Sequence, residues 1–227
     1  MSAVKHAVIA AAGFGSRLGR GYPKCMVEFR GKTLLERQLE LLVDVPNVRL
    51  VVGFREKEVV KLARSVRPDV LIVRNPAYAS TTTLTSYGLG ARYLQKPTLF
   101  MDADILFEPP SLARFIAACK NAPLVGYTTA RTHDAVYVDV RDDKVHSFSR
   151  NSQSEHEWAN IAFLPPAYCE SGSGNVFERF TDDLPLPAHF IDSFEVDRPS
   201  DLALAEAQYC GQGTDGLPHS DCNSLAA

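Results

Sequence analysis

The sequence predicts an α/β fold: a Rossmann-like, mostly parallel sheet sandwiched by helices, with an antiparallel extension. Three observations lead there. Short apolar runs alternate with amphipathic segments through the first half of the 227 residues, the pattern of strands covered by helices. The first run, Ala7 to Ala11, empties into a glycine-rich turn, Ala12-Gly13-Phe14-Gly15, as a buried parallel strand does before its crossover. Past Ala122 the alternation gives way to strand-like runs separated by turn residues such as Asp142-Asp143, which reads as antiparallel structure.

Each element has a local reason. Met26 to Phe29 reads as a short strand closed by Arg30-Gly31. Thr33 stands three residues before Glu36, a capping box, and Leu35, Leu39 and Leu42 share one face of the helix it opens. Val48–Val52 reads as a buried strand. Arg55–Val66 places Val59, Leu62, Ala63 and Val66 at helical spacing and is ended by Pro68. Val70–Val73 is the next strand, with a polar link from Asn75 to Thr82. A helix from Thr83 to Leu94 presents Leu84, Tyr87, Ala91 and Leu94. Thr98–Met101 is a strand that ends in Asp102-Ala103-Asp104. Pro110-Ser111 opens a helix with Leu112, Phe115, Ile116 and Cys119 on its buried face. Val125–Ala130, Ala135–Val140, Val145–Phe148 and Trp158–Leu164 read as strands, and Pro165-Pro166 begins a short helix. Phe194-Glu195-Val196-Asp197 alternates apolar and acidic residues, so Glu195 and Asp197 project on one side, and a terminal helix starts at Pro199.

These elements make one domain over residues 1–210, with residues 125–193 as a lid-like part; residues 211–227 lack periodicity and read as a disordered tail. A net charge of -3 argues against general affinity for nucleic acid or a membrane surface, since neither polyanion is attracted. The five cysteines are scattered with no CxxC pair, which argues against a disulfide framework or structural zinc and favours a reducing cytoplasm. Lys5-His6 before the apolar run imitates a signal peptide, but the run is short and passes straight into the glycine turn.

The chemistry concentrates in three segments. The glycines Gly13 and Gly15 let several N–H groups converge on one anion, and Ser16, Arg17 and Lys24 follow within reach of that turn. Asp102 and Asp104 close a strand at the same carboxyl edge, where open α/β sheets bind ligands. Asp197, with Glu195 as second choice, ends another strand; paired with Asp104 it makes a hard oxygen site suited to Mg²⁺ carrying a triphosphate.

Together these residues resemble a family. Ala-Gly-x-Gly-x-Arg-Leu from Ala12, then Pro23-Lys24, then Gly-Lys-x-Leu-Leu-Glu-Arg-Gln from Gly31 to Gln38 look like the opening of the nucleoside-triphosphate transferases. That superfamily includes sugar-1-phosphate nucleotidyltransferases and small cytidylyltransferases acting on phosphocholine or aminoethylphosphonate. Asp102-Ala103-Asp104 resembles its central metal segment, and Glu195-Val196-Asp197 with Pro199 and Asp201-Leu202 its late acidic signature. Asn75, Tyr78 and Ser86 echo a stretch of the choline-phosphate type, although Thr82-Thr83 stand where that type often has asparagine.

The resemblance implies a sheet of the nucleotide-diphospho-sugar transferase type, its antiparallel extension on the acceptor side. It implies that Ala11, Ala12, Gly13, Phe14, Gly15, Ser16, Asn75, Thr83, Ser86 and Asp102 bind the nucleotide. Arg17 and Lys24 would be catalytic, Arg17 on the departing phosphates and Lys24 on the α-phosphate, while Asp104 and Asp197 hold Mg²⁺. CTP is the favoured donor and a small phosphorylated or phosphonylated molecule the acceptor, with a homodimer left open. Arg131, Tyr137 and Trp158 are the candidate acceptor contacts; Trp158, Tyr137, Tyr127 and Phe190 make either an aromatic cage for a quaternary ammonium or ordinary core. Four other readings stay open: a sugar-1-phosphate uridylyl-, guanylyl- or thymidylyltransferase, within the same resemblance; a dinucleotide site, because Gly-x-Gly follows a strand; a metal-dependent glycosyltransferase, because Asp-x-Asp suits one; and a binding protein without turnover.

Overall fold

The structure is a computed structural model that describes residues 4–14, 21, 23–170 and 174–210. Gly15, Ser16, Arg17 and the tail from 211 lie outside the described residues.

Strand β1 (His6–Ala11) leads to the two-residue strands β2 (Glu28–Phe29) and β3 (Lys32–Thr33) and to helix α1 (Leu34–Leu41). Then follow β4 (Asn47–Val52), α2 (Glu56–Val66), β5 (Leu71–Arg74), α3 (Thr83–Ala91), β6 (Thr98–Asp102), β7 (Ile105–Phe107) and α4 (Pro109–Ala118). The second half holds β8 (Leu124–Thr129), β9 (Tyr137–Arg141), β10 (Lys144–Ser149), β11 (His156–Leu164), β12 (Leu186–Phe190), β13 (Ser193–Glu195) and α5 (Pro199–Gln208). Nine strands form one sheet in the order β5-β4-β1-β6-β11-β8-β12-β10-β9. It is parallel from β5 to β6, and β11 enters antiparallel to β6 and β8. Strand β9 also meets β11 at Tyr137 and Glu157, so the far end of the sheet curls back on itself. The expected alternation is present, and the antiparallel half makes the sheet mixed.

The two faces follow from the two-residue period of the strands. Ala7, Ile9 and Ala11 of β1 pack with Leu50, Met101 and the buried faces of α1, α2 and α4. Val8 points the other way, with Val51, Phe100 and the α3 residues Leu84, Tyr87 and Ala91. A third, smaller cluster joins Val27, Phe29 and Leu34 to Phe194, Val196, Ala205 and Tyr209. It fastens the C-terminal helix beside the glycine-rich end of the sheet.

Helix α3 lies very close to the sheet at Gly90. A Cβ there would meet Val8 Cγ1 and stand 2.9 Å from Val51 Cγ2. Gly90→Ala is therefore expected to lower unfolding free energy by about 1–3 kcal/mol, overpacking outweighing the roughly 1 kcal/mol gain in helix propensity. Chemical denaturation measures it.

Local differences from the sequence reading have visible causes. Lys24–Met26 is a 3-10 turn, and only Glu28–Phe29 is strand, because Arg30 and Gly31 take positive φ (45° and 75°) in the hairpin to β3. Helix α3 stops at Ala91, and Tyr93 adopts a left-handed conformation. Strand β11 is broken by a bulge between Trp158 and Ala162, with Asn160 at φ 50°. Cys25, Cys119 and Cys169 are buried free thiols, whereas Cys210 is disulfide-bonded, which its spacing did not predict. No helix among the described residues is long and apolar enough to cross a membrane.

Candidate active site

The chain leaves β1 for β4 and β5 on one side, and α3 then carries it across to β6 on the other. The carboxyl ends of β1 and β6 thus flank a topological switch point, where such sheets form a crevice. Ala103 N–H bonds to the Ala10 carbonyl (3.1 Å), holding the acidic turn against β1. Gln38 Nε2 donates to the carbonyls of Asp102 and Ile105 (both 2.8 Å), pinning the same turn from α1. Strand β13 pairs antiparallel with β7, and Val196 N–H reaches the Asp104 carbonyl (3.0 Å). That pairing brings the late acids to the early ones. Asp201 Oδ2 accepts from the N–H groups of Asp197 and Arg198 (2.9 and 2.7 Å), which fixes the start of α5 beneath Asp197.

Four side chains converge. Lys24 Nζ bonds Asp104 Oδ2 (3.2 Å) and also ion-pairs with Asp197 Oδ1. Carboxylate oxygens of Asp104, Glu195 and Asp197 all lie within 4.8 Å of one another. Asn160 Nδ2 donates to Glu195 Oε2 (3.0 Å). Burial first, then the Asp104 charge, pushes the Glu195 carboxyl up to about 7. Asp102 is displaced upward by the same two causes, against the pull of the Tyr87 hydroxyl, which donates to it at 2.6 Å.

Two cavities border this cluster. The first, about 380 Å³, is lined by Ala11, Gly13, Phe14, Lys24, Tyr78, Thr83 and Asp104 among others. Phe14 packs against Phe54 and Tyr78 (centroids 5.1 and 5.0 Å apart), so the glycine-rich turn rests on an aromatic base. Ala12 is buried behind the wall, its carbonyl accepting from Phe54 N–H (3.1 Å). The second cavity, about 360 Å³, is lined by Thr83, Asp102, Arg150, Trp158, Asn160, Phe177 and Glu195 among others. Thr81 and Thr83 border both.

Several expected contacts are engaged within the protein itself. Asn75 and Ser86 are buried and bonded to each other (3.2 Å), and Asn75 also holds Thr81 (2.9 Å); they shape the segment beside the first cavity instead of lining it. Arg131 is not free for an acceptor. Its guanidinium bonds the Ser193 carbonyl (3.1 Å) and Asp192 (3.2 Å) and lies over Phe194. The four-residue aromatic cage does not form. Trp158 packs edge-on against Phe148, Phe177 and Phe180, Tyr127 pairs with Phe190, and Tyr137 borders a separate hollow with His133. Trp158 does line the second cavity. Arg150, Asn160 and Phe177 were missed in the sequence; an isolated arginine and an asparagine inside a strand give no local signal.

The family model of the MobA-like NTP transferase domain matches residues 7–160. A CMP-5'-(3-aminopropyl)phosphonate synthase of Streptomyces rubellomurinus is 31% identical, over 89% of this chain and 38% of that protein, so the chain spans well under half of that relative's length. A 2-C-methyl-D-erythritol 4-phosphate cytidylyltransferase of Saccharopolyspora erythraea is 28% identical over 88% of this chain and 97% of its own length. Among solved structures, the inositol-1-phosphate CTP transferase of T. maritima superposes with a TM-score of 0.72 at 16% identity, covering 93% of this chain and 100% of that one. The CTP:phosphocholine cytidylyltransferase of Streptococcus pneumoniae gives 0.71 at 19%, covering 89% and 97%. At these identities the superpositions speak for the fold, which is of the nucleotide-diphospho-sugar transferase type.

Proposed function

We propose that the chain, which belongs to the MobA-like NTP transferase family, is a nucleotidyltransferase that moves CMP from CTP onto a small phosphorylated or phosphonylated molecule. An acceptor phosphate or phosphonate oxygen attacks the α-phosphorus in line. The new P–O bond forms as the bond to the β-phosphate oxygen breaks, and pyrophosphate leaves. One observation carries the reading: Lys24, paired with Asp104 and Asp197, lines the first cavity, and Glu195 of the same cluster lines the second. A donor and an acceptor in adjacent cavities would present their reacting atoms to the same cation.

The residue roles follow from charge. Ala11, Gly13, Phe14 and Thr83 border the nucleotide, and Ala12 supports that wall. Lys24 holds the negative charge that grows on the α-phosphate in the transition state. Arg17 takes the departing pyrophosphate. The donor set of Asp104, Asp197 and, as second choice, Glu195 is all carboxylate, which fits a hard cation such as Mg²⁺. When bound, Mg²⁺ supplies neutralisation of the triphosphate. Asp102, hydrogen-bonded to Tyr87, borders the acceptor side and steadies the acidic turn.

The reading includes a cytoplasmic location, where nucleoside triphosphates are available; the buried thiols suit it and the bonded Cys210 does not. Incubation with each nucleoside triphosphate, Mg²⁺ and a panel of phosphates and phosphonates tests the activity. Acceptor-dependent pyrophosphate release, fastest with CTP, is expected. Preference for UTP, GTP or dTTP with a sugar 1-phosphate contradicts the donor and acceptor; release of free nucleoside diphosphate contradicts the reaction.

A further inference from the structure

The lining of the second cavity carries both signs of charge. Asp102 and Glu195 stand on it, Glu195 as a member of the carboxylate triad; Arg150 stands on it with Phe177 and Trp158. The Arg150 guanidinium lies 5.5 Å from the centre of the Phe177 ring and donates to the Asp134 carbonyl (3.3 Å). No carboxylate pairs with it among the described residues. The nearby acids are engaged elsewhere: Asp134 Oδ1 and Oδ2 face His133 and Arg198, and Glu178 accepts from the backbone and amide nitrogens of Asn175. Glu178 senses the Arg150 charge at longer range.

Three other side-chain donors on the lining are engaged. Asn160 Nδ2 serves Glu195, Thr82 Oγ1 donates to the Gly174 carbonyl, and Asn175 Nδ2 serves Glu178. Trp158 is different. It is 7% exposed, and its indole N–H has no hydrogen-bond partner, an orphaned donor that costs free energy until an acceptor meets it. An aromatic wall with this shape suits a quaternary ammonium only while its ring faces are vacant. Here the protein's own guanidinium already occupies the Phe177 face.

We infer that the second cavity selects an acceptor whose end remote from the phosphate or phosphonate is itself anionic, a carboxylate for example, with Arg150 as the specificity-determining residue. This rests on the reading of that cavity as the acceptor site. The phosphate or phosphonate end lies toward Lys24, and the remote carboxylate pairs with Arg150. An ammonium at that end faces like charge and gains no cation–π contact.

The chain contains one tryptophan, so the fluorescence of Trp158 reports occupancy of this cavity without turnover. The probes are 3-phosphonopropionate, 3-aminopropylphosphonate and propylphosphonate, titrated into the full chain with Mg²⁺ and a CTP analogue whose α,β-bridge cannot be cleaved. The carboxylate-ended probe is expected to bind about tenfold or more tighter than the amine-ended one, the worth of one charge-assisted hydrogen bond. Arg150→Ala should bring it level with propylphosphonate, and Arg150→Glu should reverse the order. Arg150 is exposed, so these changes leave the core intact. Equal or tighter binding of the amine, an unchanged order in both variants, or no response to any probe overturns the inference. Pyrophosphate release measured in parallel separates the two ideas. Transfer to an acceptor with the wrong binding order defeats the inference alone; the right order with no release from any triphosphate defeats the reading of the reaction.

Discussion

Lys24→Ala lowers the turnover of nucleotidyl transfer by about 10²-fold or more, the cost of losing one strong transition-state contact. The Lys24 ammonium is partly buried and held by Asp104 and Asp197, so it is oriented before substrate arrives. Its removal leaves two carboxylates facing each other and leaves the α-phosphate charge unmatched. The loss should fall mainly on kcat, because the charge it matches is greatest in the transition state. Lys24→Arg should not restore the rate, since a planar guanidinium fork replaces a compact point charge. Pyrophosphate release at saturating CTP measures both. Turnover within about threefold of the parent enzyme would remove Lys24 from the chemistry, since contacts of this kind are worth far more.

Asp104→Asn should cost a similar factor, again about 10²-fold or more in turnover, for a different reason. The side chain keeps its shape but loses its charge, so the triad of Asp104, Glu195 and Asp197 offers one fewer carboxylate to a divalent cation. The Asp104 carbonyl still accepts from Val196 N–H, so the β7–β13 pairing and the fold should survive. The concentration of Mg²⁺ giving half-maximal rate should rise, and direct Mn²⁺ binding, followed by its paramagnetic resonance, should weaken without any turnover. Loss of rate with unchanged metal affinity would move Asp104 from cation binding to another role.

Much of this arrangement was legible in the sequence where the signal is local. The Thr33–Glu36 capping box is present in full: Thr33 Oγ1 accepts from Glu36 N–H (3.2 Å), and Thr33 N–H donates to Glu36 Oε2 (2.7 Å). The glycines after β1 and the acids after β6 were readable because a strand end in a parallel sheet has a defined edge, and Glu195 and Asp197 because they alternate with the apolar Phe194 and Val196. What escaped depends on distant partners. Arg131 looks like a free cation in sequence, but its ties to Ser193 and Asp192 reach 62 and 61 residues along the chain. Trp158 looks like a cage wall until Phe148, Phe177 and Phe180 close around it. Asn75 and Ser86 read as ligand contacts, and only the folded link shows them spent on each other. Asn160 gives no warning of its left-handed bulge, because nothing adjacent to it demands one.

The most direct measurement is a crystal structure with Mg²⁺ and a CTP analogue whose α,β-bridge cannot be cleaved. The metal is expected on Asp104 and Asp197, with Lys24 Nζ within about 3 Å of an α-phosphate oxygen. A triphosphate bound with its α-phosphorus out of reach of Lys24, or a metal held without Asp104 and Asp197, would contradict the assignment.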